Sequence, residues 1–303
     1  MRGTIYSGIN NIYDVRGEDG SAVECRIKGK ILKDEENSYN PLAPGDEVEF
    51  EGTDAGKGLI TGRLPRKTHF SRWNRKRESW QTVAANIDLL LAVISAKNPP
   101  FRPRFVDRVL INASLGGAEA AVLLNKIDQG TEEWIEERIE AWEAIGVPVF
   151  RSSAETGEGV EEIREQARGR TVCLFGPSGV GKSTLLNTLM PGLNLETGRI
   201  SAKYDRGRHV TNFGRLLDAD FGGRLVDTPG VREILVRGIG RDELSRSFVE
   251  FADFEPKCSF QPCSHSHEPG CAVLTAVEEG LIHPDRYENY LRIREELEDE
   301  LRW

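Results

Sequence analysis

Three short motifs concentrate the phosphate and base chemistry of this chain. Gly176, Pro177, Ser178, Gly179, Val180, Gly181, Lys182 and Ser183 fit G-x-x-x-x-G-K-[ST], between the strand-like Thr171–Phe175 and a helical stretch opening at Thr184. Glycines at those positions let backbone N–H groups close around phosphate oxygens, helped by the helix N-terminus. Lys182 then reaches the β- and γ-phosphates, Ser183 ligates Mg²⁺ and Thr184 joins the cradle. Asp227-Thr-Pro-Gly230 follows the strand Arg224–Val226. Asp227 there holds Mg²⁺ through water, and the Gly230 N–H meets the γ-phosphate. Asn125-Lys126-Ile-Asp128 follows the strand Ala120–Leu124. A carboxylate at Asp128 accepts N1–H and N2–H of guanine, while Asn125 and Lys126 brace the loop and the ring. Ser153 and Ala154 add a backbone donor for the guanine O6. Adenine lacks that donor pair, so the combination selects GTP over ATP.

A fourth group has different chemistry. Cys258, Cys263, His265 and Cys271 crowd three thiols and an imidazole into one short span. Such a set closes a tetrahedron around structural Zn²⁺ and leaves no open position for catalysis. His267 is a rival for the nitrogen ligand. Cys25 and Cys173 lie in strand-like segments and read as core residues.

These motifs need a scaffold that brings strand ends together. Residues 1–68 read as short strands and turns without a convincing helix, with Val23–Lys28 and Asp46–Glu51 as examples, which favours an OB-fold barrel. Residues 69–238 then alternate strand and helix. Ile87–Ile94 is a buried-type run, Arg104–Leu115 is helical, Ala120–Leu124 is a strand, and Thr131–Ile145 is a helix opened by Thr131. Val147–Phe150 and Val172–Phe175 follow as strands. The alternation predicts an α/β domain with a parallel, doubly wound sheet and its ligand at the carboxyl ends of the strands. Residues 239–303 hold the cysteine cluster, a helix over Ala272–Glu279 and a charged helix from Asp285 to Trp303, expected as a solvated amphipathic helix.

Charge adds a partner. With 40 Lys+Arg against 49 Asp+Glu the chain carries −9, which excludes a polybasic nucleic-acid coat. Locally the balance reverses. Arg63, Arg66, Lys67, Arg72, Arg75, Lys76 and Arg77 face one acid, Glu78, giving +6, with Phe70, Trp73 and Trp80 interleaved. Aromatic rings stack on unpaired bases while guanidinium groups hold phosphates, so this stretch reads as an RNA contact. No apolar run approaches the length of a membrane span, and Met1–Tyr6 lacks the apolar core of a secretory leader. Five cysteines are too few for a disulfide scaffold, so the expectation is a cytoplasmic protein without a membrane partner, and a monomer.

The order of the motifs is the unusual feature. Small GTPases ordinarily run from the phosphate loop to the base-reading motifs, whereas here Asn125–Asp128 and Ser153-Ala154 precede Gly176–Ser183. That is a circular permutation. With the barrel in front and the cysteine cluster behind, the whole chain resembles the ribosome small-subunit-dependent GTPase A family (RsgA, also called YjeQ). The resemblance implies an OB-fold barrel, a circularly permuted P-loop GTPase domain and a C-terminal zinc-binding helical domain. It also implies that His265 is the zinc ligand, and that the partners are the 30S subunit, its rRNA and GTP/GDP. One segment departs from the family pattern Gly-Arg-His-Thr-Thr-Thr: here it reads Gly207-Arg-His209-Val210-Thr211-Asn212. Thr211, the one hydroxyl left, takes the Mg²⁺ and γ-phosphate contacts. Val231 stands where many GTPases place a water-orienting glutamine, so intrinsic hydrolysis should be slow, with His209 an internal candidate for the missing group. The implied function is a 30S-stimulated GTP phosphohydrolase that assists late subunit maturation. A GTP-gated RNA-binding switch with incidental turnover and a GTP-dependent metal-delivery protein are the alternatives.

Overall fold

The computed structural model describes residues 1–29, 38–53, 56–193, 195 and 214–300. His209 and Thr211, with the rest of 196–213, lie outside the described residues.

Five strands, β1 (Arg2–Ile9), β2 (Ile12–Gly17), β3 (Ala22–Ile27), β4 (Glu47–Thr53) and β5 (Lys57–Arg63), close into a barrel in the order β1-β2-β3-β5-β4. Alternation drives it: Val48 and Phe50 point inward to Ile5, Val15, Cys25 and Ile60, while Glu47, Glu49 and Glu51 face out. Cys25 is thus a core residue, as its position in the sequence implies.

The basic stretch contains an element that charge alone conceals. β6 (His69–Asn74) and β7 (Ser79–Ala85) form an antiparallel hairpin whose turn holds Arg75, Lys76 and Arg77. Several of the residues read as RNA contacts serve the fold instead. Phe70 is fully buried, with its ring 4.6 Å from Phe175. The Arg66 guanidinium forms a fork on the buried Asp46, at 2.7 Å to each oxygen. Trp73 and Trp80 pack edge to face across the hairpin, 5.6 Å between centroids. Lys67, Arg75, Lys76 and Arg77 remain exposed.

Beyond the hairpin lies a six-stranded sheet in the order β10-β9-β8-β11-β13-β12: β8 (Leu89–Ser95), β9 (Glu119–Asn125), β10 (Val149–Ser152), β11 (Thr171–Phe175), β12 (Arg215–Ala219) and β13 (Gly223–Asp227). β8 and β11 are buried along their whole length because they are central strands covered on both faces. The first five strands in that order are parallel, but β12 runs antiparallel to β13, a departure from the all-parallel expectation. The helices are α1 (Pro103–Leu115), α2 (Glu133–Ala144), α3 (Val160–Ala167), α4 (Lys182–Leu189), α5 (Ala272–Glu278) and α6 (Pro284–Glu300). α2 begins at Glu133 with no side-chain cap, so Thr131 does not open it.

Polar contacts join the parts at both ends of the sheet. Asp218 on β12 accepts hydrogen bonds from Tyr6 Oη at 2.6 Å and Arg16 Nη1 at 2.7 Å, tying the barrel to the sheet edge. At the other end, α6 is not a solvated helix. It buries Tyr290, Ile293 and Leu297 with Phe248, Phe251 and Ile111, and its acids engage α1. Arg108 donates to both oxygens of Glu296, and Arg104 donates to Asp285 and Glu288.

Candidate nucleotide site and metal centre

The carboxyl ends of β8, β9, β10, β11 and β13 converge where an open α/β sheet holds its ligand. β11 delivers Gly176–Ser183, which turns directly into α4. Gly181 sits at φ +96°, and a Cβ there would stand 2.3 Å from Asn125 Nδ2, so only glycine fits. Ser183 and Thr184 occupy the first turn of α4, half-buried. Lys182 is buried and donates to the carbonyls of Gly176 (2.8 Å) and Pro177 (2.9 Å). Burial pulls its ammonium down to about 8, partly offset by Asp227. Burial in turn raises the Asp227 carboxyl, against the pull of Lys182. The two groups that would share phosphate and Mg²⁺ therefore already interact.

Asp227-Thr-Pro-Gly230 is locked to the same loop. Thr228 Oγ1 donates to the Leu174 carbonyl, and Val231 N–H donates to Gly176 O at 3.3 Å. A Cβ on Gly230 would lie 2.6 Å from Ser178 Cα, so glycine is required for this approach. Val231 is 5% exposed and belongs to the core of the sheet's α1 and α2 face. Its side chain packs among apolar neighbours.

The base-reading residues are bound to one another and to the phosphate loop. Asn125 is fully buried. Its Nδ2 donates to Val180 O at 2.9 Å, and its Oδ1 accepts from Ser152 Oγ at 3.1 Å and Ala154 N–H at 3.2 Å. Lys126, in the left-handed region at φ +65°, donates to Asn98 O (2.5 Å) and Gly179 O (2.7 Å). Ser153 Oγ donates to Asp128 Oδ1 at 2.6 Å, fixing that carboxylate. The N–H groups of Ser153 and Ala154 are both engaged within the protein, the former by Glu158 O. Residues outside the sequence motifs also build this end. Ser95 Oγ donates to Pro99 O, and Lys97 donates to Gln129 O, so the loop after β8 floors the site. A signal for it exists in the sequence: β8 is a buried parallel strand, and its carboxyl end belongs to the ligand crevice.

The cysteine cluster is assembled as well. Ligand atoms of Cys258, Cys263, His265 and Cys271 all lie within 4.8 Å of one another. His265 Nδ1 faces the thiols, 3.7 Å from Cys258 Sγ and 3.4 Å from Cys271 Sγ. His265 Nε2 is buried without a hydrogen bond, and Glu255 Oε1 stands 3.6 Å from it. His267 points elsewhere, its Nδ1 2.8 Å from Ser266 Oγ. Burial pushes the Cys263 thiol up to about 12 and also raises Cys271. Three sulfurs and one ring nitrogen converging on a single point fit one metal ion, whose positive charge would stabilise thiolates. The loop is held from outside: Tyr287 and Tyr290 hydroxyls donate to the carbonyls of His265 and Ser264, each at 2.8 Å.

Comparison with known proteins agrees with this arrangement. The family model for the RsgA GTPase matches residues 63–237, and that for the RsgA N-terminal domain matches residues 2–60. The chain belongs to the RsgA GTPase family. Members of that family similar to it over nearly their whole length include the small ribosomal subunit biogenesis GTPases RsgA of Christiangramia forsetii (36% identical; 100% of this chain and 98% of the relative) and Chlorobaculum tepidum (40%; 94% of each). Among solved structures, YjeQ from Thermotoga maritima superposes with a TM-score of 0.75 at 33% identity, covering 98% of each chain. YloQ, described as a circularly permuted GTPase, gives 0.70 at 25% identity, covering 99% of this chain and 95% of the other. This chain likewise carries its base-reading loop ahead of its phosphate loop, and it is a GTP hydrolase with an OB-like barrel in front. No helix among the described residues is long and apolar enough to cross a membrane.

Proposed function

We propose that this chain is a cytoplasmic, monomeric GTPase that binds the small ribosomal subunit and assists its late maturation, with turnover stimulated by the subunit. The observation that carries the reading is one strand-end crevice in which Asn125 bridges the guanine and phosphate loops of a permuted chain. In this reading residues 1–68 form the RNA-binding barrel, 69–238 the GTPase domain and 239–303 the zinc domain. Relatives matching the full chain carry the name small ribosomal subunit biogenesis GTPase, which supports the partner. The exposed Lys67, Arg75, Lys76 and Arg77 supply cations for rRNA phosphates.

Within the site, Asp128 reads guanine, Asn125 holds the loops, and Lys126, Ser153 and Ala154 complete the base pocket. The N–H groups of Gly176–Ser183 surround the phosphates, and Lys182 leaves the Gly176 and Pro177 carbonyls to meet the β- and γ-oxygens. Ser183 and Thr211 would ligate Mg²⁺, with Asp227 acting through water, and the ion would neutralise charge on the β- and γ-oxygens. Gly230 donates its N–H to the γ-phosphate. Val231 offers no hydrogen bond to a nucleophilic water, so the orienting group comes from elsewhere, with His209 as the candidate in this chain. Cys258, Cys263, His265 and Cys271 hold Zn²⁺ as a structural ion. A Cys271→Ser variant should bring purified protein from one zinc per chain to none by elemental analysis, and retained zinc would remove Cys271 from the ligand set.

The deciding experiment is GTP hydrolysis titrated with 30S subunits. Turnover should rise by about 10³-fold, the lower end of what a supplied catalytic group contributes, and His209→Ala should abolish that rise without changing GTP affinity. A flat titration would refute the ribosomal reading.

A further inference from the structure

One polar atom of the cysteine cluster lies beyond the reach of water. His265 is 0% exposed, and its Nε2 has no hydrogen-bond partner. The residue is firmly held. Its backbone sits in the left-handed region at φ +53°, with the Tyr287 hydroxyl on its carbonyl, and the Phe251 ring meets the imidazole edge to face, 5.7 Å between centroids.

The sulfurs decide which nitrogen is the ligand. Nδ1 stands 3.7 Å from Cys258 Sγ and 3.4 Å from Cys271 Sγ, and those two sulfurs are 3.9 Å apart. A tetrahedron with bonds of about 2.3 Å to sulfur and about 2.0 Å to nitrogen has S···S edges of about 3.8 Å and N···S edges of about 3.6 Å. The separations therefore suit ligands around one centre, with Nδ1 as the donor. A nitrogen that binds metal carries no proton, so the proton of the neutral ring belongs to Nε2. A buried N–H without an acceptor is costly.

An acceptor stands beside it. Glu255 Oε1 is 3.6 Å from Nε2, just beyond a hydrogen bond, and the Glu255 side chain is 41% exposed, which leaves the carboxylate room to close that gap. The same oxygen accepts from the buried Ser245 hydroxyl at 3.3 Å. Glu255 opens the 3₁₀ turn Glu255–Lys257, which runs straight into Cys258. We infer that Glu255 is the positioning residue of the metal centre: its carboxylate accepts the Nε2–H of His265, fixes the tautomer that presents Nδ1 to the thiols, and makes the imidazole a more basic ligand. Ser245 holds the carboxylate in turn. The inference rests on the reading that Cys258, Cys263, His265 and Cys271 hold Zn²⁺, and it adds the residue that orients the nitrogen ligand.

The test measures zinc affinity of the full-length protein by competition with a chromogenic chelator. Glu255→Ala should weaken zinc binding about 10-fold or more, the lower end of what loss of such a partner costs. Glu255→Gln keeps an acceptor without its charge. It should recover about half of that loss on a logarithmic scale, since a neutral acceptor makes roughly half the bond. His265→Cys separates positioning from general support of the fold. Its fourth thiolate still completes a zinc site but has no N–H to donate, so in that background Glu255→Ala should change zinc affinity by less than about twofold. In zinc-loaded wild type, nitrogen NMR of labelled histidine should place the His265 proton on Nε2. A Glu255→Ala protein that holds zinc as tightly as wild type would overturn the role of Glu255 and leave the zinc reading standing. So would a Glu255→Gln protein no tighter than Glu255→Ala, an equal loss in the His265→Cys background, or a proton on Nδ1. Wild type that takes up no zinc would refute the zinc reading, and the role of Glu255 with it.

Discussion

Asp128→Asn should lower GTP affinity by about 10³-fold and transfer it to xanthosine triphosphate. The proposed role of Asp128 is to accept two N–H bonds from guanine with a charged carboxylate. Asparagine offers one acceptor and one donor, so one guanine N–H meets another N–H and both bonds lose their charge. At about 1.5–3 kcal/mol for each charge-assisted bond, the two together cost about 4 kcal/mol, close to three decades in affinity. Xanthine carries an oxygen where guanine carries the amino group and pairs with the amide. The Ser153 hydroxyl, 2.6 Å from Asp128 Oδ1, can donate equally to the amide oxygen, so the loop should keep its shape. Equilibrium binding of both nucleotides checks the prediction, and an Asp128→Asn protein that still prefers GTP would remove Asp128 from base recognition.

The same crevice explains why permutation leaves the site intact. Asn125 bonds to Val180 and Ala154, and Val231 and Gly230 rest against Gly176 and Ser178, so the loops are bound to one another and not only to their own strands. Chain order then decides which segment leaves the site. After Gly230 the backbone crosses α1, where Arg102 donates to Arg232 O and Asn112 donates to Leu235 O, both at 3.2 Å. It enters the cysteine-bearing unit directly, with Val236 already in that unit's core.

How much was legible in the sequence depends on how local each signal is. β8, β9, β11 and β13 announce themselves as apolar runs, and the motif loops lie at their ends because Gly, Lys, Ser and Asp at fixed spacing need no distant partner to be recognised. The cysteine cluster is equally local, and the structure favours His265 over His267 through the direction of one ring nitrogen. The β6–β7 hairpin was hidden because its charges dominate the pattern. That Arg66 serves Asp46 and that Phe70 serves Phe175 depends on residues far along the chain. α6 misled for the same reason. Its acids look like a solvated face until Arg104 and Arg108, about 180 positions earlier, are brought against them.

Asp107 marks the strongest of these distant contacts, and Asp107→Asn should cost about 3–5 kcal/mol, the penalty for breaking a buried ion network from one side. The Asp107 carboxylate is 1% exposed and saturated. Oδ1 accepts from Arg286 Nη1 (2.7 Å) and Trp142 Nε1 (2.8 Å), and Oδ2 accepts from Arg138 Nη2 (2.6 Å) and Asn289 Nδ2 (3.1 Å). The donors come from α2 and α6, so one side chain on α1 joins the GTPase domain to the C-terminal helix. Arg286 is shared with Glu250 and Arg138 with the partly exposed Asp285, so each guanidinium keeps one carboxylate but loses the buried one between them. Asparagine keeps the shape but withdraws the charge and turns an N–H toward donors. Urea unfolding should show the loss, and proteolysis should release the segment beyond 239 first, because α6 loses its anchor. The pH dependence has a definite sign. Burial works against the charged form, but Arg286 and Arg138 outweigh it and hold the carboxyl below its usual range. A depressed carboxyl stabilises the fold fully above its unfolded value near 3.9 and loses that contribution as pH falls through the folded value. Wild type should therefore destabilise more steeply than Asp107→Asn below about pH 4, the two curves converging in acid. A cost under about 1 kcal/mol at pH 7 would mean that α6 is held by its apolar face alone, with the ion network a passenger.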